Sequence, residues 1–249
     1  ASAGLFLYLL AHVMDNHVEK VVEAVANHNT FKEKKKPKNP IKFNISLNEE
    51  QKHAKSVILH NTITVLTGLA GSGKTLVACQ AALDLLFKRD VDRIILTRPA
   101  VTAGEDIGFL PGDKDAKLAP YTAAIYDNMY RLYKKEIIDK HIQDGHIEVI
   151  PLAFMRGRNL SDCVVVVDEA QNITDRQMEL LLGRMCTGSK MIICGDTAQI
   201  DLKDRKLSGF GFICHNLTNI PGFNVITLKT NHRDPIVEDI LKIYSDHRD

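Results

Sequence analysis

Excess charge is almost absent from this sequence: 32 Lys and Arg stand against 31 Asp and Glu, a formal net charge of +1 at pH 7. No whole-molecule field draws in nucleic acid, so any such binding must come from local basic patches. Long apolar runs are missing as well, and none approaches the roughly 20 residues needed to span a bilayer. The short run Leu5 to Leu10 lacks a basic leader and a cleavage pattern, which argues against a secretory signal and for residence in the cytoplasm without a membrane partner. The five cysteines (Cys79, Cys163, Cys186, Cys194 and Cys214) are odd in number, scattered and without C-x-x-C spacing, as expected of buried thiols in a reducing compartment. None of the ten histidines stands in an H-E-x-x-H or comparable pattern, so no zinc site is expected. The remaining balance, 45% hydrophobic and 25% charged, is that of an ordinary globular protein with one large core.

What is present is a phosphate site. Gly68-Leu69-Ala70-Gly71-Ser72-Gly73-Lys74-Thr75 satisfies G-x-x-x-x-G-K-[ST] at every required position, after the apolar run Ile63 to Leu66 and before a helical pattern that continues through Leu76. Glycines let the backbone curl so that successive N–H groups face phosphate oxygens. Lys74 supplies a mobile point charge to the β and γ groups, and the Thr75 hydroxyl can ligate Mg²⁺. A nucleoside triphosphate is the expected ligand, cradled by residues 68 to 76.

The second element is Cys163-Val164-Val165-Val166-Val167-Asp168-Glu169. Its small apolar residues read as a strand buried on both faces, with an acidic pair at the carboxyl end, where ligands bind in parallel sheets. Asp168 is expected to hold Mg²⁺ through its water shell, and Glu169 to orient and deprotonate the attacking water. Gln199, in Gly195-Asp196-Thr197-Ala198-Gln199, is placed to touch the γ-phosphate or that water, unless it is a plain polar turn. Gln51 has the donor and acceptor to pair with the edge of adenine and select ATP, or is an exposed residue at a helix start. Arg233, and after it Arg98, are the expected arginines for the γ-phosphate, against the alternative of surface ion pairs.

Residues 1 to 30 form an amphipathic helical segment in this reading, since Met14, Val18, Val21, Val22 and Val25 share one face. That stripe packs on the chain's own core, on a neighbouring subunit or on a membrane. Residues 31 to 42, with six lysines and two prolines, read as a basic linker, and the catalytic domain as residues 43 to 249. There, runs at Ile63 to Thr67, Arg93 to Thr97, Ile147 to Ile150, Val164 to Asp168, Lys190 to Cys194 and Val225 to Leu228 alternate with helical stretches, which predicts a mostly parallel sheet covered on both faces. Thr174 and Gln177 make a capping box for a helix that buries Met178, Leu181, Leu182 and Met185 and closes at Gly188. Tyr126, Tyr130 and Tyr133 either stack nucleic-acid bases or form a buried stripe running on to Ile137. Arg156-Gly157-Arg158 is a basic candidate for a phosphate backbone or an adjacent subunit.

Taken together, Gly68 to Thr75, the long segment Thr97 to Asp113, Phe154 to Arg158, Asp168-Glu169-Ala170-Gln171-Asn172 and Gly195 to Leu202 resemble the PhoH-like ATPase family, from about residue 43 to 245. The Thr97 to Asp113 segment gives the resemblance its specificity, because it is not generic to P-loop proteins. The resemblance implies an α/β, RecA-like P-loop NTPase core similar to the first motor domain of superfamily 1 helicases, preceded here by the N-terminal helix. It implies ATP hydrolysis with Mg²⁺, coupled to RNA or single-stranded DNA, in a bacterial or bacteriophage-infected cell. The family's closing R-x-P pattern matches Arg233-Asp234-Pro235. The sequence departs from nuclease-fused members, so nuclease activity is not expected. Because such helicases close ATP between two motor domains, the resemblance also implies a homo-oligomeric ring, a hexamer being favoured, in which Arg233, Arg98 or Arg158 reaches the next subunit's ATP. A slow nucleotide-gated nucleic-acid-binding protein and a small-molecule phosphotransferase are the rival functions.

Overall fold

The structure is a computed structural model and describes residues 41–99 and 125–246. The expected N-terminal helix, nearly all of the basic linker and most of the Thr97 to Asp113 segment lie outside these residues. Six strands, β1 Ile63–Gly68, β2 Arg93–Thr97, β3 Ile147–Val149, β4 Cys163–Val167, β5 Lys190–Gly195 and β6 Phe223–Leu228, form one sheet in the order β3-β2-β4-β5-β1-β6. Every pairing is parallel. The connecting helices are α1 Glu49–His60, α2 Lys74–Phe87, α3 Lys135–Gln143, α4 Asp175–Leu182, α5 Gly209–Asn216 and α6 Pro235–Asp246. A further helical stretch covers 125–132.

The near-continuous apolar strands follow from burial on both sides. Successive side chains of a strand point to opposite faces. Leu66, Ile94, Leu96, Val164, Val166, Ile192 and Cys194 pack with α1, α2 and residues 125–132 on one face. Val65, Ile95, Val165, Val167, Met191 and Ile193 pack with α4 and α5 on the other. In β4 all five residues are buried, so neither face tolerates a polar side chain.

This is the RecA-like P-loop architecture that the sequence led us to expect. The order places β5 between the phosphate-loop strand β1 and the acidic strand β4, and aligns β1 Thr67 with β5 Gly195 in register. All carboxyl ends therefore face one edge, and the segments that leave β1, β4 and β5 converge there.

Four local expectations are corrected. Thr174 and Gln177 do form the capping box, but α4 stops at Leu182 with Gly183 as its cap, and Gly188, at φ 82°, belongs to the turn that leads into β5. Within α4, Met178 and Leu181 are buried and Leu182 is partly so. The three tyrosines pack against the core, with the Tyr133 ring tilted against Phe87 at 4.9 Å between ring centroids and Tyr130 Oη donating to Asp139 at 2.8 Å. Their stripe does not run on to Ile137, which is exposed, but to Ile138, which is buried. Among the cysteines, Cys79, Cys163 and Cys194 are buried, whereas Cys186 is exposed. No helix among the described residues is long and apolar enough to cross a membrane.

Candidate active site

The cradle is built where β1 turns into α2. Gly71 and Gly73 take left-handed conformations, φ 88° and 85°, and a side chain on either has no room. A Cβ on Gly73 would meet Gln51 Nε2 at 2.6 Å, and one on Gly71 would meet Arg233 Cγ at 2.8 Å. Lys74 opens α2 and folds back over the loop, its ammonium donating to Gly68 O at 2.7 Å and to Leu69 O at 3.0 Å. The helix has no side-chain cap and no acidic residue in its first turn. Its positive dipole end and its unpaired N–H groups are therefore left for an anion, the arrangement that binds phosphate.

Across the mouth of this cradle stand the acids. Thr75 Oγ1 donates to Asp168 Oδ1 at 2.9 Å, so the hydroxyl and carboxylate expected to hold a metal meet although 93 positions apart. Burial raises the pKa of the Asp168 carboxyl, and the Glu169 charge adds to that; the Thr75 hydrogen bond and the charge of Arg98 oppose it. Glu169 has φ 51°, a left-handed conformation that costs a non-glycine residue about 1–3 kcal/mol and is found where surrounding structure enforces it. Its Oε2 accepts from Gln171 Nε2 at 2.7 Å.

These groups line a cleft of about 580 Å³, within the size range of small-ligand sites. Ala70, Gly71, Gly73, Lys74, Thr75 and Leu76 line it together with Asp168, Glu169, Gln199 and Arg233. Gly68 and Leu69 take part through their carbonyls, and Ser72 is buried. Asp196 Oδ1 accepts from Ala198 N at 2.9 Å, a short side-chain turn that brings Gln199 round to the cleft.

Gln51 is not an exposed helix start but is 4% exposed. Its carbonyl accepts from Asn48 N at 3.2 Å, and its amide donates to Ser72 O at 3.3 Å and faces His232 Nε2 at 3.1 Å. It caps α1 and braces the loop at once, on the rim of the same cleft. Arg233 packs over Gly71 of its own chain, and His232 N donates to Gly71 O at 3.1 Å. The charge of Arg98 likewise reaches its own chain's Asp168. Arg158 lies elsewhere, paired with Glu148 at 3.2 Å. Sequence reasoning assigned no role to Asn48 and His232, which line the cleft together with Arg131, nor to Gln171. The Asn48-x-x-Gln51 spacing of a capping box was the one available signal for the first of these.

A family model described as PhoH-like protein matches residues 45–245. A PhoH-like protein of Synechocystis sp. is 41% identical over 197 residues, which cover 78% of this chain and 60% of that protein. Protein PhoH of Escherichia coli K12 is 40% identical over 167 residues, 66% of this chain and 47% of that one. The chain thus spans about half to 60% of the length of these relatives. Among solved structures, the Pif1 helicase of Candida albicans aligns with 82% of this chain and 44% of its own, at 15% identity and a TM-score of 0.43. Phosphate loop, acidic strand and sheet order agree on a P-loop NTPase fold, and the chain belongs to the PhoH-like protein family.

Proposed function

We propose that the chain hydrolyses ATP to ADP and phosphate in a Mg²⁺-dependent reaction, as a motor that acts on RNA or single-stranded DNA. The observation that carries this is the 2.9 Å contact between Thr75 and Asp168, which joins the phosphate cradle to the acidic strand. The donor set suits Mg²⁺, which keeps several waters and needs only one or two protein oxygens beside the phosphates. Thr75 and Asp168 would hold it, and when bound it supplies charge to the β and γ oxygens. A divalent cation also suits a carboxyl whose burial otherwise favours its neutral form.

The chain's own groups then divide the work. Backbone N–H groups of residues 70 to 75 and the Lys74 ammonium bind the phosphates. Glu169 orients the attacking water and takes its proton, while Gln199 and Arg233, which both line the cleft, would contact the γ-phosphate. Gln51 fixes the loop next to the nucleotide through its hydrogen bonds to Asn48 and Ser72, which occupy the amide edge that would otherwise pair with adenine.

Nucleic-acid binding rests on local basic residues, including exposed Arg156. Assembly of like chains is supported by α6, which starts two residues after Arg233 and exposes Ile236, Val237, Ile240, Ile243 and Tyr244 along its length. We assign a second copy of the chain as the cover of this face. Of the three arginines considered, Arg158 is the one that does not serve its own cleft, and it is the one assigned to a neighbour's ATP.

Phosphate release tests the reading, with and without a panel of RNA and DNA strands. The parent chain should turn over ATP faster on its preferred strand. Glu169→Gln should bind ATP but release phosphate about 10²–10⁴-fold more slowly, the loss typical of removing a general base. Undiminished release by Glu169→Gln would exclude the assigned chemistry, and a labelled product other than free phosphate would favour a phosphotransferase.

A further inference from the structure

We infer that Gln171 is the positioning residue that fixes the Glu169 carboxylate and ties it to the loop carrying Gln199, an inference that rests on the hydrolytic reading above. Gln171 is 1% exposed although it is polar and next to an open cleft. Both ends of its side-chain amide are used. Nε2 donates to Glu169 Oε2 at 2.7 Å, and Oε1 accepts from Asp196 N at 3.1 Å. The orientation of the amide is forced, because a backbone N–H can only donate and a carboxylate can only accept. Glutamate here would lack the donor, and an apolar side chain would leave both partners unsatisfied.

The surroundings show that this bridge is built into the fold. The carbonyl of Gln171 accepts from Ser208 Oγ at 2.7 Å, which anchors the short turn Ala170–Asn172. The next residue makes a parallel link, with Asp201 N donating to Asn172 Oδ1 at 2.7 Å. Two adjacent side chains therefore stitch the segment after β4 to the segment after β5. Glu169 sits at the start of this turn in its left-handed conformation, and Gln199 lies in the stitched loop between Asp196 and Asp201. With Oε2 accepting from Gln171, the carboxylate is held in one orientation and keeps acceptor capacity for water. The same amide fixes where the water is directed relative to the group that senses the γ-phosphate, which is a matter of geometry at the reacting atoms rather than of nucleotide affinity.

The experiment is steady-state hydrolysis by the full chain bearing Gln171→Glu, Glu169→Gln or both, with ATP binding measured on each. Glutamate at 171 keeps the acceptor for Asp196 N and loses the donor to Glu169. A misplaced catalytic group costs on the order of 10²-fold, so kcat should fall by that amount while KM and ATP affinity stay within about twofold. In the Glu169→Gln background the same change should alter the residual rate by less than about twofold, because the group it positions is gone. Gln171→Met, uncharged and of equal length, takes the place of Gln171→Glu if the buried charge prevents folding. A Gln171 variant with kcat within about twofold of the parent, while Glu169→Gln is inactive, overturns this inference and leaves hydrolysis by Glu169 standing. So does a variant in which affinity and kcat fall together, the mark of a merely structural role. If Glu169→Gln turns over like the parent, the hydrolytic reading and this inference fall together.

Discussion

At the scale of single residues, the site is governed by one half-buried acid. Asp168 is held above the ordinary carboxylate range chiefly by burial, then by the neighbouring Glu169. A carboxyl whose folded pKa is raised contributes its full stability below the unfolded value, and that contribution is lost as pH rises through the folded value. Without a divalent cation the parent should therefore lose stability between acid and neutral pH on account of this group. Asp168→Asn retains an oxygen acceptor for Thr75 and has no charge to bury. In EDTA its Tm should exceed the parent's at pH 7, and the gap should narrow towards pH 4. Adding Mg²⁺ and ATP should raise the parent's Tm and leave the variant's nearly unchanged. Thermal melts across pH check both statements, and a variant that melts below the parent at pH 7 in EDTA would contradict the assigned burial cost.

Elements set how firmly the cradle is held. The capping box of α1 joins Asn48 Oδ1 to Gln51 N at 2.8 Å and Gln51 Oε1 to Asn48 N, and the same glutamine reaches Ser72 O in the phosphate loop. Asn48→Ala should cost about 1 kcal/mol of stability, the usual cost of a lost N-cap, and should also weaken ATP binding because Gln51 loses its anchor. Denaturant unfolding and nucleotide titration read the two effects; a stability loss with unchanged affinity would detach the cap from the loop. This coupling also marks what the sequence could and could not convey. The six strands were legible within two residues, because burial on both faces leaves β4 as an uninterrupted apolar run from Cys163 to Val167. Motif residues such as Lys74, Thr75 and Asp168 were legible because phosphate chemistry prescribes their type and spacing. Gln171 and His232 were not, since their roles arise from contacts across 25 and 181 positions that no local pattern encodes. The end of α4 was misplaced because Gly183 and Gly188 both suit a helix terminus, and the turn into β5 claims the second.

For the whole molecule, the proposed assembly would help enclose the nucleotide. Arg233 already packs on the phosphate loop of its own chain, so the proposed neighbour is not required for that arginine. The apolar side of α6 is the surface assigned to it, with Ile243 70% and Ile240 46% exposed. Ile240→Lys or Ile243→Lys should reduce the particle to monomer mass in light scattering with Mg²⁺ and ATP present. A parent that is strictly monomeric at undiminished turnover would rule the assembly out. Beneath assembly, strand preference and turnover lies the claim that residues 68 to 75 grip a triphosphate. Calorimetric titration of ATP in the presence of Mg²⁺ tests it most directly. The account predicts saturable heat at one nucleotide per chain that disappears in Lys74→Ala, and no measurable uptake of ATP by the folded parent chain would contradict it.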